Sequence, residues 1–359
     1  MKETKKKLAQ LREKIDSIDS LIVKLLNQRA KTVLKIGQFK KEAQTEFYSP
    51  EREQEIYKKI SLLNTGSFPV ESLKAVYREI MSASLSLEAP LKIAYLGPEA
   101  TFTHMAAIAK FGYSTTYVPV KSIRDTFTEV ECDRADYGVV PIENSTEGVV
   151  NHTLDMFVES DLKICAEILL RISHHLMSPT VDVNNLKKVY SHPQSFAQCR
   201  DWIENNLPKV ELIEVYSNAK AAQLAAKEPY SGAIAGEIAA RLYNLKIIAR
   251  NIEDNPDNYT RFLIIGEKSS PPTGNDRTSI MFSIKDRVGA LYSILQPFQK
   301  CQINLTNIES RPSKIKLWDY YFFVDFKGHI EEENIQKALR ELKKYCINLK
   351  ILGSYPAGG

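Results

Sequence analysis

The sequence predicts a multidomain chain of the α and α/β classes. An all-helical segment covers 1–90, a two-lobed α/β segment 91–268, a linker 269–276 and a small ferredoxin-like module 277–359. Three observations carry this. Residues 1–90 hold only two glycines (Gly37 and Gly66) and three prolines near segment ends, around apolar positions spaced three and four apart. From Leu91 to about Ser270, five short apolar runs each lead through a polar cap into a helical pattern. Beyond the linker SSPPTG (269–274), strand and helix patterns follow in the order βαββαβ.

Composition narrows the function classes. The chain has 359 residues, 43% hydrophobic and 26% charged, which is ordinary globular material able to bury more than one core. No apolar stretch approaches the ~20 residues of a membrane span. The basic start MKETKKKLAQL is not followed by the apolar region of a secretory signal, so a cytoplasmic location is expected. Five cysteines (Cys132, Cys165, Cys199, Cys301, Cys346) form no CxxC pair, which argues against a disulfide framework or a zinc site. Neither metal nor cofactor is expected. The net charge of +4 is concentrated in the first 90 residues, too small an excess to point to nucleic acid.

In the helical segment, Leu8, Leu11, Ile15, Ile18, Ile22 and Leu25 line one face. The same register places Arg29 in the seam, followed by Val33, Ile36 and Lys40. A helix from about Lys5 to Ala43 would be roughly 57 Å long at 1.5 Å per residue. Two further helices, Pro50–Leu63 and Val70–Leu87, are too short to cover it, so an intertwined homodimer is expected. Arg29 alone serves equally as a register-setting polar residue of a coiled coil. Several cations in one apolar helical setting, however, require anions, and a compact dicarboxylate suits them.

This segment resembles the all-helical chorismate mutases across residues 8–88, through LREKID (11–16), Arg29, IGQFKK (36–41), SPERE (49–53) and Ser84/Glu88. The resemblance implies rearrangement of chorismate to prephenate without acid–base or covalent chemistry. Arg12 (from the partner chain in the family) and Arg29 would hold the two carboxylates, and Lys40 would meet the charge developing on the ether oxygen. Arg52 and Glu53 would orient the ring hydroxyl, and Ser84 would support a carboxylate. Two positions depart from the family: Ser49 replaces a common Asp, and Glu88 stands where some members carry Gln. A glutamate donates to the ether oxygen only when protonated, so mutase activity is expected to fall at alkaline pH.

The five strand-to-helix junctions of the middle segment lie at 92–111, 137–157, 188–203, 212–227 and 233–245. Each aims unpaired backbone N–H groups at a strand end, and together they predict an anion-binding cleft between two lobes. No Walker A, GxSxG or dinucleotide pattern is present. GPEATFT (97–103), PIENS (141–145), SHPQSF (191–196) and NYTRF (258–262) together resemble the prephenate dehydratases, with Ala100 in place of the usual Gly. That implies loss of the ring hydroxyl and CO2 from prephenate to give phenylpyruvate. Thr260 would relay or orient a proton toward the leaving hydroxyl, with Glu143 a second candidate proton source. Arg261, Asn144, Ser145, Ser191 and Gln198 would bind carboxylates and the keto group, beside Thr101 and Phe262.

In the last segment, DRVGALYS (286–293) and NLTNIESRP (304–312) resemble the ACT domains of phenylalanine-pathway enzymes. The resemblance implies a regulatory L-phenylalanine site at a dimer interface, formed by Gly289, Ala290, Leu291, Asn304, Leu305, Glu309, Ser310, Arg311 and Pro312. Gly289 would let backbone approach the ligand, and Glu309 would pair with its ammonium group. Tyr292 replaces a smaller aliphatic residue. The three resemblances imply a bifunctional chorismate mutase–prephenate dehydratase under phenylalanine feedback, a homodimer or higher homo-oligomer with no nucleic-acid or membrane partner. The alternatives are an arogenate-preferring dehydratase and a catalytically inactive phenylalanine sensor.

Overall fold

The first helix, α1 (Lys2–Glu42), runs unbroken for 41 residues, as its uninterrupted apolar stripe and lack of internal proline dictate. It is followed by α2 (Pro50–Leu63) and α3 (Val70–Glu88). The structure is a computed structural model and describes residues 2–43, 45, 47–180, 183–285, 287–312 and 320–358. Contacts divide the chain into two compact units. One comprises 1–49, 56–91 and 111–116, and the other the remaining residues. In the first unit α1 packs on α3, yet most of the predicted α1 stripe stays exposed, with Leu11, Ile15 and Ile18 all above half exposure.

Besides residues 50–55, the second unit holds β1 (Lys92–Leu96), α4 (Phe102–Phe111), β2 (Thr116–Val120), α5 (Ile123–Glu131), β3 (Tyr137–Asn144), β4 (Gly148–Val149), α6 (Asn151–Glu159) and β5 (Lys163–Arg171), apart from the ends of α4 and β2 at 111 and 116. A second lobe follows with β6 (His175–Ser178), β7 (Lys188–Ser191), α7 (Pro193–Gln198), α8 (Arg200–Asn206), β8 (Glu211–Glu214), α9 (Asn218–Ala225), β9 (Ser231–Ala235), α10 (Glu237–Leu242) and β10 (Lys246–Ala249). The strand β11 (Tyr259–Gly266) then returns to the first lobe.

The first sheet has the order β2-β1-β3-β11-β5, with β4 off that path and paired antiparallel to β3, and the second the order β10-β6-β9-β7-β8. All five predicted strand-to-helix junctions are present. The β11 strand sits between β3 and β5, antiparallel to both, and its residues are buried except at the Tyr259 end. This is why it reads as a continuous apolar run and not as an alternation.

The C-terminal module is β12 (Asp276–Ile284), α11 (Ala290–Lys300), β13 (Leu305–Pro312), β14 (Tyr320–Lys327), α12 (Glu333–Lys343) and β15 (Cys346–Pro356). Its sheet order, β13-β14-β12-β15, is that of the predicted βαββαβ plan. A strand is expected from Leu317, but residues 317–319 lie outside the described ones, as does Asp286. One face of the sheet carries α11 and α12 over Ile280, Phe282, Val324 and Phe326. The other face joins the first lobe in a shared core that includes Phe157, Ile164, Leu263, Met281, Phe323 and Leu352. There β15 meets β5 so closely that a Cβ on Gly353 would lie 2.2 Å from the Ile164 carbonyl oxygen.

Candidate active sites

A cleft of about 410 Å³ opens along the ends of the strands in the second unit, lined by groups from both lobes. Thr260 and Asn144 are register partners on β11 and β3. The Asn144 amide Nδ2 donates to Thr260 Oγ1 at 2.7 Å and to Asn258 Oδ1 at 2.9 Å. Because the Thr260 oxygen accepts from a pure donor, its own O–H proton remains directed elsewhere. Nδ2 also donates to the Tyr259 carbonyl at 3.3 Å, and Asn144 Oδ1 accepts from the N–H groups of Thr146 and Glu147, so the amide orientation is fixed by five partners.

The network continues into the second lobe. Gln198 Oε1 accepts from Asn258 Nδ2 at 3.1 Å and from His174 Nε2 at 2.8 Å, while Gln198 Nε2 reaches Glu147 at 3.3 Å. Since the Gln198 oxygen only accepts, Nε2 carries the His174 proton. Nδ1 of that ring is buried without a hydrogen-bond partner. Burial lowers the His174 pKa, against the opposing influence of Gln198 and Glu253, and keeps the ring neutral. The His174 backbone N–H donates to Glu253 at 2.8 Å, and the ring stands edge-on to Phe102 at 5.4 Å.

Helix starts supply further N–H groups. Thr101 caps α4, accepting from the His104 N–H and donating to the Leu96 carbonyl. Before it, Ala100 is held at φ +66°, the left-handed region that favours glycine, with its N–H bound to His104 Nδ1. Ser217 caps α9, and Asn218 Oδ1 accepts from the His192 N–H and from Ser191 and Ser195. Among the described lining residues there is no lysine or arginine. Hydroxyls, amides and helix N-termini are the groups available here to an anion.

In the first unit, the Arg29 guanidinium donates to Ser84 Oγ, which passes its own proton to the Ile80 carbonyl at 2.6 Å. Lys40 donates to the Phe47 carbonyl at 2.7 Å and stands 3.6 Å from Glu88. Glu88 also crowds Gly37, where a Cβ would come within 3.1 Å of its side chain. Arg29 thus pairs with Ser84 and Lys40 with Glu88, the two partners lying one turn apart on α3, whereas Arg12 lies exposed on α1. In the second unit, Arg52 pairs with Glu55 and Glu53 with Lys110 at 2.8 Å.

Comparison with known proteins matches these parts to three families: chorismate mutase type II over residues 11–89, prephenate dehydratase over 93–270 and the ACT domain over 278–344. A bifunctional chorismate mutase/prephenate dehydratase of Aquifex aeolicus is 56% identical over 353 residues, covering 97% of this chain and 98% of the relative. The chain belongs to the bifunctional chorismate mutase/prephenate dehydratase family. Among solved structures, prephenate dehydratase from Arthrobacter aurescens in complex with L-Phe is 33% identical, with a TM-score of 0.69 over 74% of this chain and 90% of that one. A protein described as a novel type of quorum quenching acylase is 29% identical over 74% of this chain and 98% of its own, with a TM-score of 0.68. The fold thus accompanies more than one described activity, and function must be argued from the site.

Within the dehydratase lobes, Thr101, Asn144, Gln198, Thr260 and Phe262 line the cleft as expected from sequence. Four other expected residues do not. Arg261 turns to the opposite face of β11, where it binds Glu167, Asp325 and Tyr355. Glu143, its register partner on β3, faces the same way and lines a small cavity with Arg261 and Glu309. The reason is the two-residue period of a strand, by which neighbours of Thr260 and Asn144 point away from them. Ser191 is fully buried, with its hydroxyl on the Ile234 carbonyl and Asn218. Ser145 clamps the Asp257–Tyr259 turn, donating to Asp257 and accepting from the Tyr259 N–H. Sequence reasoning missed His174, Asn218 and Asn258. Only Asn258 had a signal, as part of the NYTRF motif.

In the ACT module, Gly289 has φ +76° and caps α11 with open space around it, so backbone conformation accounts for the glycine. Beside it, Leu291 and Tyr292 are exposed, and Ala290 half-buried. On β13, half-buried Leu305, Glu309 and Arg311 alternate with exposed Ser310 and Pro312, and exposed Asn304 immediately precedes the strand. Arg311 forms a two-pronged pair with Asp155 of α6 at 2.7 and 2.8 Å.

Proposed function

We propose that the protein carries out two consecutive reactions of phenylalanine biosynthesis. Chorismate is rearranged to prephenate, and prephenate is converted to phenylpyruvate under feedback inhibition by L-phenylalanine. The observation that carries the dehydratase reading is the Asn144–Thr260 bond, which leaves the threonine proton available in a cleft of hydroxyls and amides. In the reaction, the ring carboxylate leaves as CO2 and its bonding pair enters the ring. The ring C–O bond breaks as the departing oxygen takes a proton and leaves as water, and aromatisation drives the process. Thr260 donates the hydrogen bond that lowers the barrier to departure, the proton coming ultimately from solvent. Neutral His174 and Asn258 hold Gln198 toward the substrate. Thr101 and the helix N-termini receive the carboxylates.

In the mutase, Arg29 and Arg12 of a second copy grip the two carboxylates and Lys40 faces the ether oxygen. Ser84 and Glu88 complete the set. The exposed α1 stripe supports a homodimer, because an apolar face of this length needs cover. The ACT module takes phenylalanine, in keeping with the L-Phe complex of the Arthrobacter relative. A location in the cytoplasm fits a chain in which no described helix is long and apolar enough to cross a membrane. The domain limits are 1–90, 91–268 and 277–359.

The test is to supply chorismate to the purified protein without cofactor and follow prephenate and phenylpyruvate together. Phenylpyruvate formation that is abolished by Thr260→Val, with prephenate still formed, supports both activities and their separation. Faster turnover of arogenate than of prephenate would shift the substrate assignment. No consumption of chorismate by folded protein would overturn the reading.

A further inference from the structure

Behind the Asn144–Thr260 pair lies a second pair of register partners, Glu143 and Arg261, directed at the ACT sheet. Arg261 is 9% exposed, and its guanidinium reaches two strands of the ACT sheet directly and a third, β12, through shared partners. It donates to Glu167 of β5 at 2.6 Å, to Asp325 of β14 at 2.6 Å and to Tyr355 of β15 at 2.9 Å. Burial opposes its charge, and Tyr355, Asp325 and Glu167 outweigh that and hold it protonated. Ser279 of β12 bonds both Asp325 and Tyr355 at 2.6 Å, and Arg277 shares Glu167 at 2.8 Å. The remaining strand, β13, contributes Asn307 and Glu309 to the same small cavity. Glu309 belongs to the ESRP motif and has its pKa raised by burial and by the charge of Glu143.

A buried ion cluster contributes little net stability over well-packed apolar groups of similar volume. Its geometry, however, is directional and breaks in discrete steps. Here it fastens the strand that carries Thr260 to the sheet whose edge strand carries the regulatory motif. The peptide that places Arg261 against Asp325 is continuous with Thr260, and Glu143 bears the same relation to Asn144. A shift of β14 or β13 that moves Asp325 or Glu309 therefore acts one residue away from the two groups that aim the threonine proton.

We propose that Arg261 and Glu143 are positioning residues through which the ACT sheet controls the Asn144–Thr260 pair, with Arg261–Asp325 as the mechanical link and Glu143 facing Glu309 as the electrostatic one. The proposal rests on the reading that phenylalanine binds the ACT module and inhibits the dehydratase.

The experiment uses the full chain with Asp325→Asn, which leaves Arg261 its bonds to Glu167 and Tyr355, and separately Glu143→Gln. The readouts are prephenate turnover over a phenylalanine titration, phenylalanine binding by calorimetry, and chorismate turnover as the check of folding. Asp325→Asn is expected to keep phenylalanine-free turnover within about threefold and still bind phenylalanine. Its half-inhibiting concentration should rise at least tenfold, within the 5- to 150-fold range of ordinary allosteric couplings. Glu143→Gln should raise that concentration by several-fold. Half-inhibition within twofold of the unsubstituted protein in both variants would overturn the proposal. So would loss of dehydratase turnover in Asp325→Asn without phenylalanine while mutase activity persists, since the link would then support the site without carrying a signal. If the unsubstituted protein binds phenylalanine without inhibition, or does not bind it, the underlying regulatory reading fails and the proposal with it.

Discussion

Replacing the Asn144 amide by a carboxylate, Asn144→Asp, tests the direction of the Thr260 proton with almost no change of shape. In the present arrangement Nδ2 donates to Thr260 Oγ1 at 2.7 Å, so the threonine proton is directed away from Asn144. A carboxylate oxygen at the same place cannot donate. It would instead accept the threonine proton in a charge-assisted bond worth about 1.5–3 kcal/mol. That bond must break before Thr260 can donate to the leaving hydroxyl. At 1.4 kcal/mol per factor of ten, kcat for prephenate should fall by roughly 10- to 150-fold. The new oxygen would also face Asn258 Oδ1 at 2.9 Å, which would turn the Asn258 amide and disturb its bond to Gln198. The assay is phenylpyruvate formation at saturating prephenate, with chorismate turnover measured on the same sample. A kcat within threefold of the unsubstituted protein would refute the assigned proton direction. A matching loss of mutase activity would show that the fold had failed instead.

Three further outcomes are expected. The His174 pKa is lowered by burial from its ordinary 6.5, so below pH 6.5 the unfolded chain binds a proton that the folded one does not. Stability should fall by up to about 1.4 kcal/mol per pH unit there, until the folded state also titrates, and His174→Gln should lessen the fall of the melting midpoint between pH 6.5 and 5, the remainder coming from His104 and His175, whose pKa values burial also lowers. Gly353→Ala sets a Cβ 2.2 Å from the Ile164 carbonyl oxygen, so β15 and β5 must part by more than 1 Å. A cost of about 1–3 kcal/mol is expected in urea unfolding, with faster proteolysis of the ACT module; an unchanged transition would contradict the close contact. Ile15→Glu with Ile18→Glu on the exposed α1 stripe should yield a monomer by sedimentation and remove mutase activity while sparing the dehydratase. A dimer with full mutase activity would show that this face is not the interface.

The helices of the first segment, the strand-to-helix junctions of the second and the βαββαβ order of the third were legible because each depends on local periodicity, capping and turns. Predicted limits for α2 and α3 agree with the observed ones to within a residue, since Pro50 and the Pro69–Val70 start mark the helix beginnings locally. The C-terminal module reads clearly because its helices each carry one apolar face toward the sheet. Less legible were β6 and β10. They are four-residue strands whose place is set by pairing with each other and with β9.

The candidate site was legible as a set of motifs, but not in its orientation. Thr260 and Arg261 are neighbours, as are Asn144 and Glu143, and nothing in those short strings says which member of each pair meets the cleft. That was decided by how β11 lies between β3 and β5, with one face toward the second lobe and the other against the ACT sheet. His174 carries no local mark either, because its orientation comes from Gln198, Glu253 and Phe102, all remote in sequence, and its neutrality from burial. The sequence by itself determined which elements form and which residue types are available for chemistry, because backbone preferences and apolar spacing act over a few residues. Only the tertiary structure decided which side chains share a face, since that depends on strand register and sheet-on-sheet packing across more than a hundred residues.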